Sequence, residues 1–170
     1  MKVTLYMAMS LNGYIAEENR SEDFLSHANW EKLCSLAQEH GNFIVGRKTY
    51  EAVKNWNEGF GFDDLKGIKK VVISQDPDYK LDEDYTLATS PKDALTKLQD
   101  FESTLVTGGS MINIAFIKDN LLDEVIVNIE PILIGKGVPL FAQDNFLKKL
   151  DLVSSKEDAG ILTLNYKVLK

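Results

Sequence analysis

The sequence predicts a mixed α/β domain: a mostly parallel central sheet with helices on both faces and antiparallel strands in its C-terminal half. Three observations carry this expectation. Up to about residue 120, short apolar runs alternate with helix-like stretches, the order of a wound sheet. From Asp123 onward only strand-like runs follow. Two of the early runs, Phe43-Ile44-Val45 and Leu105-Val106, pass into helix-like stretches through glycine and a hydroxyl residue, in Gly46-Arg47-Lys48-Thr49 and Thr107-Gly108-Gly109-Ser110.

Residues 3–9 form the first strand, and Ser10-Leu11-Asn12-Gly13 turns the chain into a short run at 14–16. Asn-Gly makes turns because both residues tolerate positive φ. The polar residues 17–26 read as a loop. Residues 29–38 are helical: Trp30, Leu33, Leu36 and Ala37 recur at helical spacing, and Gly41 closes the helix. A buried strand at 43–45 leads to a helix that begins at Thr49. A glycine- and aspartate-bearing loop fills 55–70, including Gly59-Phe60-Gly61-Phe62-Asp63-Asp64, whose aspartates read as exposed.

Residues 71–74 are again a buried strand, ended by the Asp76-Pro77 turn, and 85–88 form another. Ser90-Pro91 starts a helix, with serine at the N-cap and proline at the first helical position. Leu95, Leu98 and Phe101 are its apolar side. Residues 104–107 and 112–117 are the strand and helix around the second glycine turn, and 125–134, 150–155 and 161–169 are strands. Residues 1–170 read as a single domain.

A chain of 170 residues buries a core without disulfides or metal. Its net charge of −7 and pI near 4.9 exclude a nucleic-acid or anionic-membrane surface, because neutralising phosphates needs clustered Lys and Arg. The single cysteine, Cys34, excludes an internal disulfide, and with only His27 and His40 beside it no metal centre is expected. No apolar run approaches the roughly 20 residues that span a bilayer. The N-terminal residues read as a strand rather than a signal peptide, so the expected location is the cytoplasm.

The glycine turns point to chemistry. Glycine lets backbone approach a ligand closely, and the unpaired N–H groups of a new helix attract phosphate. Two such turns in one small domain suit a ligand with several phosphates, which is a dinucleotide.

The motifs are Ala8-Met9-Ser10-Leu11-Asn12-Gly13-Tyr14-Ile15-Ala16, Gly46-Arg47-Lys48-Thr49-Tyr50-Glu51, Val71-Val72-Ile73-Ser74 and Val106-Thr107-Gly108-Gly109-Ser110. They continue with Leu122-Asp123-Glu124-Val125 and the stretch from Pro131-Ile132-Leu133-Ile134-Gly135 to Lys136-Gly137-Val138-Pro139-Leu140-Phe141. In this order they resemble the dihydrofolate reductase fold family, and within it the branch of the riboflavin-biosynthesis reductase domain, here as a stand-alone member without a zinc deaminase domain.

The resemblance implies an NADPH-dependent oxidoreductase. By motif, Gly46, Arg47, Lys48 and Thr49 open a helix under the cofactor phosphates. Ser74 and Gln75 face the adenosine ribose, where with Lys48 a 2′-phosphate is read. Thr107, Gly108, Gly109, Ser110, Met111 and Ile112 form the second phosphate clamp, with a cis Gly108–Gly109 bond. Ala8 and Ile15 border the nicotinamide. The branch usually pairs through its late strands, so a homodimer is expected.

The substrate side departs from both well-known activities. Where the folate-reducing branch has a carboxylate early in its first long helix, ungapped counting puts Trp30; Glu31 reaches that place only with a one-residue shift. Trp30 is either a stacking ring for substrate or core, and Glu31 either the catalytic acid or a solvated helix-start charge. Asn128 and Asn113 stand where that branch has threonine and tyrosine. The riboflavin branch usually has aspartate at Asn12, and its Asp-x-Pro-x-Leu segment is replaced by Asn55-Trp56-Asn57-Glu58. The resemblance therefore implies hydride transfer to a pteridine- or pyrimidine-like heterocycle. The alternatives are the 5-amino-6-(5-phosphoribosylamino)uracil reductase reaction and a nucleotide-binding protein without turnover.

Overall fold

The computed structural model describes residues 1–56 and 61–170. The sequence expectations at Asn57, Glu58, Gly59 and Phe60 lie outside the described residues.

Strand β1 (Lys2–Ser10) turns through Gly13 into β2 (Tyr14–Glu17), followed by α1 (His27–His40), β3 (Asn42–Gly46) and α2 (Arg47–Val53). Then come β4 (Lys69–Ile73), β5 (Tyr85–Ala88), α3 (Pro91–Lys97), β6 (Ser103–Val106) and α4 (Ser110–Lys118). The chain closes with β7 (Glu124–Glu130), β8 (Gly137–Pro139), β9 (Leu150–Asp158) and β10 (Ile161–Val168). Eight strands form the main sheet in the order β5-β4-β3-β6-β1-β7-β10-β9, while β2 and β8 pair in a small second sheet.

The alternation along each strand divides the apolar residues between two faces. Val71, Ile44, Val106, Leu5 and Val125 lie in register across five parallel strands and pack with α3 and α4. Val72, Val45, Tyr6 and Ile126 belong to the opposite face, under α1 and α2. Both clusters are continuous, so the parallel part of the sheet is buried on both sides, as parallel strands require, while β9 at the antiparallel end is exposed.

Helix ends follow their local chemistry. Gly41 adopts φ 68° and its N–H closes α1 onto the Gln38 carbonyl. Ser90 caps α3 by accepting from the Asp93 amide, with Pro91 next.

Two expectations need correction. The strand predicted at 125–134 ends at Glu130, because Pro131 has no N–H to give a ladder and Ile132 instead bonds back to the Glu130 carbonyl at 2.8 Å. That strand runs parallel to β1, and the antiparallel strands expected in the C-terminal half follow it, with β10 antiparallel to both β7 and β9. The short β8 is additional, and Gly137 permits it because a Cβ there would collide with the Ala16 carbonyl.

Asn12 ties these parts together. Its Oδ1 accepts from the Ser10 hydroxyl and the Ile134 amide at 2.9 and 3.1 Å, while its Nδ2 donates to the Ile134 carbonyl at 2.7 Å. An aspartate lacks that donor, which accounts physically for asparagine in this turn.

Candidate active site

The strands β1, β3, β4 and β6 run parallel, and their carboxyl ends lie at one edge of the sheet, where α/β folds bind ligands. There the two glycine turns meet. The Gly46 amide donates to the Gly108 carbonyl at 2.7 Å, and the Thr107 amide donates to the Ile44 carbonyl at 2.9 Å. A Cβ on Gly46 would stand 2.6 Å from Ile112 Cγ1, and one on Gly109 would stand 3.0 Å from the Thr49 hydroxyl. The Gly108–Gly109 bond is cis. No side chain caps α2 or α4, and the buried Ser110 hydroxyl has no partner among the described residues.

From this junction a cleft of about 450 Å³ extends between the sheet and α1. Thr49, Thr107 and Gly109 line it at the turns, and Met7, Ala8 and Ile15 line it along β1 and β2. An aromatic wall completes it: Trp30 lies edge-on to Trp56 and tilted on Phe62, each at 5.8 Å between ring centroids.

Tyr6, Ser26 and Asn29 also line the cleft and lead into a buried polar network. Tyr6 donates its phenol proton to the Asn29 carbonyl at 3.1 Å, and Asn128 donates from Nδ2 to Tyr6 Oη at 3.1 Å and to Asn29 Oδ1 at 2.8 Å. Thr163 donates to Asn128 Oδ1 at 2.7 Å. Asn29 Nδ2 in turn donates to the Ser26 hydroxyl and, in a short bond, to Glu130 Oε1, which also accepts from the Ser26 amide at 2.9 Å. Burial, with the nearby Glu130, pushes the Tyr6 phenol well above its ordinary value.

The predicted residues fall into three places. Ala8, Ile15, Trp30, Thr49, Thr107 and Gly109 line the cleft, with Gly46, Gly108, Ser110 and Ile112 directly behind it at the turns. Arg47, Lys48, Ser74 and Gln75 lie along the sheet edge: the β3–β4 register pairs Gly46 with Ile73, so the residues that follow are neighbours. There Arg47 bonds Glu51 at 3.1 Å and lies over the Tyr79 ring, while Lys48 and Gln75 are exposed. Asn128 stands one layer behind the cleft, Met111 is exposed, and Glu31 faces solvent beside His27 at 3.4 Å. Asp63 and Asp64 are exposed, as read from the sequence.

Several cleft residues are absent from the sequence expectations, among them Tyr6, Met7, Asn29, Trp56, Phe62 and, with the most chemistry, Glu22. Glu22, in the polar segment 18–26, is half-buried in the cleft wall, and no cation or donor among the described residues engages its carboxyl. Burial alone pushes that carboxyl up to about 7. The segment is held inward by the bond from Ser26 to Glu130 and by local bonds from Glu17 to Ser21 and from Leu25 to the Glu22 carbonyl. The Ser26–Glu130 contact spans 104 positions, so no local pattern announces it.

Comparison with known proteins fits this geometry. The chain is 31% identical over 171 residues to an uncharacterized protein of Bacillus subtilis, YwjB, with 97% of each chain covered. Its fold matches a candidate riboflavin biosynthesis protein from Shewanella sp. PV-4 with a TM-score of 0.80 at 20% identity, each chain covered completely. It also matches the Thermotoga maritima diaminohydroxyphosphoribosylaminopyrimidine deaminase/5-amino-6-(5-phosphoribosylamino)uracil reductase with a TM-score of 0.75 at 16% identity, over 99% of this chain and 56% of that one. The family profile of the RibD C-terminal domain matches residues 1–164, and the chain belongs to that family.

Proposed function

We propose that this protein is an NADPH-dependent oxidoreductase of the cytoplasm that passes hydride to an imine-like or carbonyl carbon of a pyrimidine- or pteridine-like heterocycle. The observation that carries the reading is one cleft shared by both glycine turns, through Thr49 and Gly109, and by an aromatic wall. The turns fit a pyrophosphate: two uncapped helix starts, glycines whose Cβ would intrude, and the unpartnered Ser110 hydroxyl all converge there.

Bound NADPH supplies the hydride. The chain does the rest. Gly46, Thr49 and residues 107–112 hold the phosphates, and Lys48, Ser74 and Gln75 distinguish the 2′-phosphate by charge-assisted bonds worth roughly 1.5–3 kcal/mol each. Ala8 and Ile15 orient the nicotinamide. Trp30, Trp56 and Phe62 stack the flat substrate and exclude water, and Asn128 steadies that wall through Tyr6 and Asn29.

The family and the Thermotoga relative favour 5-amino-6-(5-phosphoribosylamino)uracil as the first compound to try, with dihydrofolate as the pteridine. Thermal unfolding followed with NADPH and with NADH tests the cofactor: NADPH raises the melting temperature more than NADH. Absence of binding at millimolar NADPH overturns the reading. Protection by NADPH without its consumption by either compound supports the nucleotide-binding alternative.

The same reading includes a homodimer. Strand β9 is an edge strand exposed along its whole length, and Leu150, Leu152, Val153 and Leu162 are exposed on β9 and β10. Light scattering at micromolar concentration gives twice the chain mass; a monomer mass contradicts pairing.

A further inference from the structure

Reduction of a C=N or C=O bond needs a proton as well as a hydride, and the cleft holds few groups able to give one. From β1, the Tyr6 phenol is spent on the Asn29 carbonyl. From α1, His27 is exposed and paired with Glu31. Asp23 is exposed. The carboxyl of Glu130, on β7, is occupied by Ser26 and Asn29. Of α2 and the described residues after it, Thr49, Val53, Asn55, Trp56 and Phe62 line the cleft, and none is titratable in the working range. Among the described residues, Glu22 is the carboxyl that is half-buried in the wall and unpaired.

We propose that Glu22 is the catalytic acid of the reduction, its carboxyl protonating the substrate heteroatom as the adjacent carbon receives hydride. The proposal rests on the reductase reading above. In the step, the C–H bond at the dihydronicotinamide carbon breaks and its electron pair forms the new C–H bond of the substrate. The C=N or C=O π pair takes the Glu22 proton, leaving an oxidised nicotinamide and a carboxylate that solvent reprotonates. Burial without a counter-charge keeps the acid form populated near neutral pH, which a general acid requires.

The test compares the wild type with Glu22→Gln and Glu22→Asp, using NADPH and each of the two compounds named above. Glu22→Gln is expected to keep NADPH binding within twofold and to slow single-turnover NADPH oxidation at least about 100-fold, with Glu22→Asp partly restoring it. The wild-type rate falls about tenfold per pH unit above 7, and Glu22→Gln loses that dependence.

A second readout does not involve turnover. Glu22 has a higher affinity for its proton folded than unfolded, so its contribution to stability is full below about 4.5 and is lost as pH rises through about 7. The melting temperature of Glu22→Gln therefore overtakes that of the wild type between pH 5 and 8, and a carbon-13 titration of the Glu22 carboxyl has its midpoint near 7.

A midpoint of 4 to 5, or a Glu22→Gln rate within threefold of wild type with the same pH profile, overturns the proposal. If neither compound is reduced, the titration midpoint decides. Failure of the wild type to bind NADPH is a different result and removes the reductase reading itself.

Discussion

Asn29→Leu is expected to lower the unfolding free energy by about 3–5 kcal/mol. Asn29 is 4% exposed and serves four neighbours: its carbonyl accepts from Tyr6, its Oδ1 accepts from Asn128, and its Nδ2 donates to Ser26 and Glu130. Leucine of similar volume keeps the backbone bond and fills the space, so little of the loss comes from a cavity. Among the described residues the Glu130 carboxyl then retains only the Ser26 amide, and Asn128 loses an acceptor, both in the buried wall. In urea, the midpoint should fall with the slope unchanged. A change within about 1 kcal/mol would mean that water replaces Asn29 in the network. The second effect is on the segment 18–26, which keeps the Ser26–Glu130 bond but loses the Asn29 bond to the Ser26 hydroxyl, and so holds Glu22 less firmly in the cleft wall.

Gly46→Ala tests the glycine junction. The φ of −78° at Gly46 suits alanine, so the cost is not conformational. It is the collision of the new methyl with Ile112 Cγ1, the first carbon of a branch held in the opening turn of α4. Overpacking of this kind costs about 1–3 kcal/mol. Relief by moving α4 stretches the bond from Gly46 to Gly108, which joins the two turns, so NADPH affinity should fall at least about tenfold, or ~1.4 kcal/mol. Ile112→Ala in the same chain should reduce the loss, because the two substitutions act on one contact and do not add. Strict additivity would show that the collision is relieved elsewhere.

How far these features were legible in the sequence depends on the range of the interactions behind them. The strands at 43–45 and 71–74 are short apolar runs buried on both faces, and composition alone identifies them. The turns at Gly46 and Gly108-Gly109 were visible as a pair: either one alone reads as an ordinary loop, and two at strand ends in one small domain point to a phosphate-bearing ligand. Their contact through Gly46 and Gly108 depends on β3 and β6 being neighbours, which the motif order implied only through resemblance.

Trp30 and Glu31 show the limit of local spacing. Successive residues on a helix lie about 100° apart, so the ring that lines the cleft and the carboxylate that meets solvent were separable in direction, but not in role. Glu22 was hidden for a different reason. Its segment is polar enough to read as a solvated loop, and the long-range bond to the carboxyl of Glu130, on β7, holds it against the sheet. Likewise β8 is three residues long and owes its place to pairing with β2, more than a hundred positions earlier.

The central claim is that both glycine turns grip one dinucleotide, and amide chemical shifts followed during an NADPH titration test it most directly. The account predicts that amides 47–49 and 109–112 move together, with one midpoint, along with those of Ala8 and Ile15. Movement at one turn alone, or separate midpoints for the two, would contradict it.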